Sequence, residues 1–349
     1  MPVSIVVGGQ YGSEGKGKVA LDLVRENRSI RWVVRPGGTN SGHTAFTRAG
    51  DRIILRQLPA AAADGGVNVV LPAGSYIEPN LFALEIKMLG LAPSSVTVDP
   101  KAHVIRPEHV EWETASGLMG GIGSTGSGTG AAVLSRLARY GRGFPLGMEA
   151  RECEALQPFL ADTAELLFRA AERGERILIE GTQGFGLSPI HGSSWPKATS
   201  RDTTAAAFLA EVGLPVHLVD QVVLVTRSFP IRVAGDSGPL NRETEWSKIA
   251  AAAGTSRDIR EYTSVTNRIR RVGEFDFDLV SRAARINGAT EVVLNHLDLV
   301  DAAVFERKAS APRVDRFVRD IQERIDTPIA WWGTGPRTSF RTIDAAVLR

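Results

Sequence analysis

One cysteine, Cys153, stands among 349 residues, so no intramolecular disulfide framework can form. A lone thiol fits a reducing compartment. No apolar run approaches the roughly 20 residues that a membrane span needs. The amino terminus enters the apolar run Val3-Ser4-Ile5-Val6-Val7 without the charged and apolar regions of a signal peptide. A soluble cytoplasmic protein with no membrane partner is therefore expected. A dominant charge is also missing: 41 Lys and Arg against 39 Asp and Glu leave +2. Without a basic excess, no nucleic-acid partner is expected. Apolar residues make up 43% of the chain, enough to build the core of one large domain or two. There is no internal repeat and no clean linker, so 1–349 is read as a single large domain.

What the chain does have is glycine, concentrated where apolar runs stop. The first run breaks into Gly8-Gly9-Gln10-Tyr11-Gly12-Ser13-Glu14-Gly15-Lys16-Gly17-Lys18 and then opens a helical pattern. Glycines let backbone N–H groups approach an anion, the helix start adds partial positive charge, and Lys16 supplies a full one. This P-loop-like loop is a variant. The spacing from Gly9 to Gly15 is one residue too long for G-x-x-x-x-G-K-[ST], and Gly17 replaces the magnesium-binding Ser/Thr.

Short β-branched runs alternate with helical patterns, which predicts an α/β fold: a central, mostly parallel sheet with helices on both faces. Strands are expected at 4–7, 31–35, 52–58, 68–71, 176–180, 222–226, 291–294 and 328–332. Helices are expected at 15–26, 79–89, 148–173, 203–212, 277–286 and 313–325. Several strands end in polar or glycine-rich loops: Arg35-Pro36-Gly37-Gly38-Thr39-Asn40, Glu180-Gly181-Thr182-Gln183-Gly184, Asn295-His296-Leu297-Asp298 and Gly333-Thr334-Gly335-Pro336. Ligands bind at the carboxyl ends of strands in such sheets, so these loops predict one extended crevice. The glycine-rich segment 117–130 reads equally as a flexible linker or as a second anion-cradling loop.

Taken in order, these pieces resemble the adenylosuccinate synthetase family over nearly the whole chain. The resemblance is carried by the phosphate loop, by Gly37-Gly38-Thr39-Asn40-Ser41-Gly42-His43-Thr44, and by Gly123-Ser124-Thr125-Gly126. It continues through the 180–184 loop, 199–204, Thr266-Asn267-Arg268-Ile269-Arg270-Arg271, 295–298 and 333–336. Enzymes of the family are usually longer, and the region between Asp301 and Arg313 looks cut down near the nucleotide-base pocket.

The resemblance implies a two-step ligation. A nucleoside triphosphate phosphorylates the 6-oxygen of a purine monophosphate, and the aspartate amine then displaces that phosphate. Charge develops on the 6-oxygen and the moving phosphoryl group, so cations and Mg²⁺ are needed. The resemblance places the triphosphate on Gly12, Gly15, Lys16, Gly17, Gly42, His43, Thr44, Asn295, Asp298, Gly333, Thr334, Gly335 and Pro336. Mg²⁺ falls to the Gly42 carbonyl and to Ser13. His43 would protonate or hydrogen-bond the 6-oxygen, a task suited to imidazole near neutral pH, although an isolated histidine would pass for a loop residue. Lys16, Gln183 and Ser13 complete the catalytic set. The purine monophosphate is assigned to Ser13, Asn40, Thr125, Gln183, Thr199 and to Arg139, which would reach the neighbouring site of a homodimer. Forked guanidinium groups suit a dicarboxylate, and Arg268 and Arg270, with Thr266 beside them, match the aspartate positions. Arg271 reads as a solvated charge.

Ser13 departs from the family, where an aspartate takes the N1 proton of inosinate and touches the metal. A serine hydroxyl stays neutral at pH 7 and is no equivalent base. Three readings compete: an inactive paralogue, an inosinate enzyme with another base, or an enzyme for a different purine. The same replacement marks viral relatives that convert dGMP to N6-succino-2-amino-2′-deoxyadenylate, on the way to 2-aminoadenine DNA. A fixed aspartate would crowd the guanine 2-amino group, whereas serine leaves room and can accept from it. The guanine reading is preferred, since His43, Lys16, Gln183, Arg268 and Arg270 all remain. His296 replaces a family lysine that packs on the base, which favours ATP or dATP as donor and leaves GTP open. A non-catalytic GTPase-like switch is the rival from another class, and Gly17 speaks against it.

Overall fold

The computed structural model describes residues 2–139, 141, 143–263 and 268–342. Its main sheet contains β1 (Val3–Gly8), β2 (Ile30–Val34), β3 (Asn68–Leu71), β4 (Val96–Val98) and β5 (Arg176–Glu180). It continues with β6 (Val219–Arg227), β7 (Glu291–Asn295), β8 (Ile329–Gly333) and β9 (Ser339–Arg341). The spatial order is β9-β8-β7-β6-β1-β5-β2-β3-β4. Every pairing is parallel except β8 with the edge strand β9.

β1 is buried along its whole length, and its side chains alternate between two cores. Val3, Ile5 and Val7 join Ile177, Ile179 and Leu224 on one face, under α-helices drawn from 163–172, 205–212, 277–287 and 312–322. Val6 joins Leu178, Val223 and Val225 on the other, under helices 16–26 and 79–89. Both faces are covered, which is why the strands read as nearly continuous apolar runs. Outside this sheet lie an antiparallel hairpin, His43–Phe46 with Arg52–Leu55, and a small sheet of Ile231–Arg232, Glu243–Thr244 and Arg271–Gly273.

The expected α/β architecture is present, with particular departures. The run 52–58 is strand only as Arg52–Leu55, and it belongs to the hairpin rather than to the main sheet. The helix expected over 148–173 forms only as Thr163–Glu172. Pro158 sits in a 3₁₀ stretch, and Asp162 starts the helix afresh by accepting from the Glu165 amide at 3.0 Å. The segment 117–130 is no free linker. It contains the helix Leu118–Ile122 and the start of Thr129–Ala138.

Candidate functional site

The loop after β1 is organised around a residue that the motif reading passed over. Glu14 is fully buried and accepts from the Gln10 amide at 3.1 Å and the Gly12 amide at 2.8 Å. Its other oxygen meets Lys16 Nζ at 2.6 Å. A carboxylate thus occupies part of the loop's anion-binding capacity. The helix Lys16–Glu26 opens behind the left-handed Gly15 with no side-chain cap and no acidic residue in its first turn. Its first amides therefore remain available to an anion. Gly17 has a steric cause. A Cβ there would lie 2.8 Å from His43 Cβ and 2.9 Å from Ala60 Cβ, so the usual Ser/Thr does not fit.

On the β5 and β2 side, His43 begins the hairpin and is buried. Its Nδ1 lies 2.5 Å from Glu180 Oε1, at the end of β5, and its Nε2 lies 3.3 Å from Ser41 Oγ. Glu180 also accepts from the Ala60 and Ala61 amides, each at 3.0 Å, and from Arg35 Nη1 at 3.1 Å. Arg35 is held in turn by the Ser41 carbonyl at 2.6 Å. Burial, then the Arg35 charge, bring the His43 pKa down to about 4 despite Glu180. Burial pushes Glu180 upward, but the His43 bond and Arg35 outweigh it and hold its carboxyl below the usual range. The imidazole is therefore neutral at pH 7, with Nδ1–H directed to Glu180 and Nε2 accepting from the Ser41 hydroxyl.

Gln183, in a left-handed backbone conformation, donates to the Asn40 carbonyl at 3.3 Å, and Asn40 Nδ2 reaches Thr199 Oγ1 at 3.4 Å. These three expected monophosphate residues form one chain. Thr125 joins through Ser127 Oγ at 3.2 Å and Thr129, whose side chain abuts Gly38. Glu113 caps the following helix by accepting from the amides of Gly128, Gly130 and Ala131. Those amides are thus committed, which argues against the segment being an anion cradle at the helix start. Arg139 lies apart, exposed at the carboxyl end of that helix.

On the other side of β1, Ser13 is exposed at φ 57°, and its carbonyl accepts from Arg227 Nη1 at 3.0 Å. Arg227, fully buried at the end of β6, also pairs with Glu261. Glu261 opens the arginine loop, where the Arg270 amide donates to the Glu261 carbonyl at 2.8 Å. One guanidinium thereby ties the phosphate loop to the expected aspartate loop, a link that no sequence spacing announces. Thr263 and Arg268 exchange backbone and side-chain bonds across that loop, and Arg270 Nε reaches the Tyr262 carbonyl at 3.2 Å. Thr266 lies outside the described residues. Arg271 is not a solvated charge: it pairs with Glu243 and donates to the Gly238 carbonyl at 2.8 Å.

Asn295 ends β7 and clamps the phosphate loop, donating from Nδ2 to the Glu14 carbonyl at 2.8 Å. Asp298 follows in a buried turn, paired with Arg257 at 3.1 Å. Thr334 is buried with its hydroxyl given to the Arg307 carbonyl at 2.7 Å, so that hydroxyl braces the loop instead of facing a ligand. Lys18 Nζ donates to the Gly335 carbonyl at 3.0 Å. Burial lowers its pKa to about 8, against the pull of Asp22, Asp298 and Glu306. Gly42 is exposed, and Thr44 sits in the hairpin with its carbonyl 3.3 Å from where a Gly17 Cβ would be.

Among the described residues no group of three His, Cys, Asp or Glu is arranged as a metal cage. The two residues expected to meet Mg²⁺, Gly42 and Ser13, are both exposed, which is compatible with an ion held mainly by substrate phosphates and water. No helix among them is long and apolar enough to cross a membrane.

A family model described as adenylosuccinate synthetase matches residues 5–144 and 148–307. The adenylosuccinate synthetase of Thermococcus onnurineus is 36% identical over 343 residues, covering 96% of each chain. That of Methanococcus aeolicus is 35% identical over 351 residues, covering 99% of each. The chain is therefore as long as these archaeal relatives, and the short stretch after Asp301 does not set it apart from them. Among solved structures, the cyanophage S-2L succinoaminodeoxyadenylate synthetase bound to dGMP and dATP superposes with TM-score 0.81. It is 28% identical, with 99% of this chain and 97% of that one covered. The fully ligated adenylosuccinate synthetase of Plasmodium falciparum shares the fold at TM-score 0.82 and 20% identity, covering 98% of this chain and 100% of that one. The chain belongs to the adenylosuccinate synthetase family and is a C–N bond-forming ligase that uses a nucleoside triphosphate, aspartate and a purine nucleotide.

Proposed function

We propose that the purine nucleotide is dGMP and the product N6-succino-2-amino-2′-deoxyadenylate, a precursor of 2-aminoadenine deoxynucleotide. Ser13 carries this reading. It is exposed on the phosphate loop next to Gly12, where an added Cβ would lie 4.0 Å from Gln183 Oε1, and a hydroxyl at position 13 leaves more room for a 2-amino group than a carboxylate would. The dGMP-bound relative at 28% identity supports it. A second reading is the ordinary synthetase acting on IMP with GTP. The names of the relatives at 34–36% identity favour that reading over the first. The two differ in one measurable preference.

In either case the residues divide the chemistry in the same way. Lys16 and the first amides of the following helix hold the triphosphate; the Gly42 carbonyl and Ser13 would hold Mg²⁺, which would supply positive charge to the transferring group. As the 6-oxygen attacks the γ-phosphorus, the bond from phosphorus to the β-phosphate oxygen breaks, the nucleoside diphosphate leaves, and His43 Nε2, neutral beforehand, takes up the proton that the purine loses from N1. The imidazolium, held by Glu180, then hydrogen-bonds the 6-oxygen as phosphate leaves and the aspartate nitrogen bonds to C6. Arg268, Arg270 and Thr266 hold aspartate. Asn40, Thr125, Gln183 and Thr199 hold the monophosphate. Arg139 reaches the 5′-phosphate in the neighbouring subunit of a homodimer. The donor differs between the two: ATP or dATP under the dGMP reading, GTP under the ordinary one.

Purified protein should be incubated with aspartate, Mg²⁺, ATP or GTP, and IMP, GMP, dGMP or XMP in parallel. Mass spectrometry should find a succinylated nucleotide whose formation needs aspartate. Nucleotide binding without such a product in any mixture would point to the non-catalytic switch.

A further inference from the structure

The end of β7 and the turn that follows it carry two buried acceptors without hydrogen-bond partners among the described residues, Asn295 Oδ1 and Asp298 Oδ1. Asp298 is 5% exposed and stands at the carboxyl end of β7, three residues beyond the Asn295 amide that clamps Glu14. A triphosphate held at the start of the helix after β1 has its base to one side. The β5 and β2 side is filled by His43, Gln183 and Asn40, so the base falls toward β7 and β8, beside Asp298.

The other oxygen of Asp298 is committed. Arg257 Nη2 donates to Oδ2 at 3.1 Å. Arg257 is itself fixed: Thr255 Oγ1 accepts from its amide at 3.2 Å and its Nε at 3.3 Å. The guanidinium lies 3.4 Å from the Phe305 ring centroid. Guanine offers two adjacent donors, N1–H and N2–H, and a free carboxylate matches both. Adenine offers one amino group on that edge and asks for one acceptor. With Oδ2 occupied, Asp298 presents a single acceptor. A site that cannot pair both guanine donors loses its main means of preferring guanine.

We propose that Arg257, by occupying one oxygen of Asp298, is the residue that sets the phosphoryl donor to an adenine triphosphate. This rests on the ligase reading above, and its test is separable from that reading. Rates with ATP, dATP and GTP should be compared at saturating aspartate and purine monophosphate. Binding of non-hydrolysable ATP and GTP analogues should be measured by calorimetry alongside, which needs no turnover. Wild type should favour the adenine nucleotides about tenfold or more, and Arg257→Leu should move the ATP:GTP ratio toward GTP by about tenfold. Thr255→Ala keeps the charge but loosens it, and should shift the ratio the same way by less. It also serves if the Arg257 variant does not fold. A wild-type preference for GTP, or a ratio unchanged in a folded variant, overturns the proposal. Selective analogue binding with no succinylated product would leave it standing while sinking the ligase reading.

Discussion

The two flanks of the phosphate loop are built differently. On the β5 and β2 flank, Arg35, Glu180 and His43 form a buried chain in which each charged or polar group meets a partner. On the flank from β6 to β8, Arg227 Nε, Asn295 Oδ1 and Asp298 Oδ1 are buried without partners among the described residues. The first flank is preorganised, with its charges placed before any substrate arrives, the arrangement that electrostatic catalysis favours. The second keeps one donor and two acceptors in reserve, and reserve of that kind serves recognition. We therefore expect substitutions on the first flank to strike turnover and those on the second to strike selectivity.

The largest effect should come from His43. His43→Asn should lower kcat by roughly 10²–10⁴ while substrate affinities stay within a small factor. Near-normal turnover would reduce His43 to a structural residue and erase the contrast. Next comes Ser13→Asp, which restores a carboxylate where a 2-amino group would sit. Activity on dGMP relative to IMP should fall by about 10², read from initial rates on each purine. An unchanged ratio would remove the steric argument.

Arg268→Leu or Arg270→Leu should raise the aspartate KM more than about tenfold and leave triphosphate binding intact, because a charge-assisted bond to a carboxylate is lost. Unchanged aspartate saturation in both would mean that the loop serves something else. The smallest effect concerns stability. The folded His43 pKa of about 4 lies below the unfolded value, so the unfolded chain takes up a proton first as pH falls. Stability should be complete above about pH 6.5 and lost on the way down toward pH 4. His43 contributes about 2 kcal/mol of that loss by pH 5. Thermal unfolding at pH 7 and pH 5 should show a smaller drop in His43→Asn.

Much of the crevice was legible in the sequence because strand ends and glycine loops are local signals. β5 falls at its expected bounds, and hydrogen bonds link Gln183 to Asn40 and Asn40 to Thr199. The links between loops were not legible. Arg35 with Glu180, Arg227 with Ser13 and Arg257 with Asp298 join residues far apart in the chain, and a single sequence carries no trace of such pairings. Glu14 was visible but hidden by the motif's attention to glycine and lysine. The misjudged helix at 148–173 had a readable stop, since Pro158 and the capping Asp162 both lie inside it. The helix at Thr129–Ala138 was obscured by the glycines before it, whose bonds to Glu113 only the folded chain reveals.

The central claim is that Ser13 turns this member of the family toward guanine. Equal concentrations of dGMP and IMP should be given in one tube to the wild-type protein with aspartate, Mg²⁺ and ATP, and both succinylated products measured by mass. The account predicts that the dGMP-derived product predominates. Predominance of the product from IMP would contradict it and make the protein an ordinary adenylosuccinate synthetase with a tolerated serine.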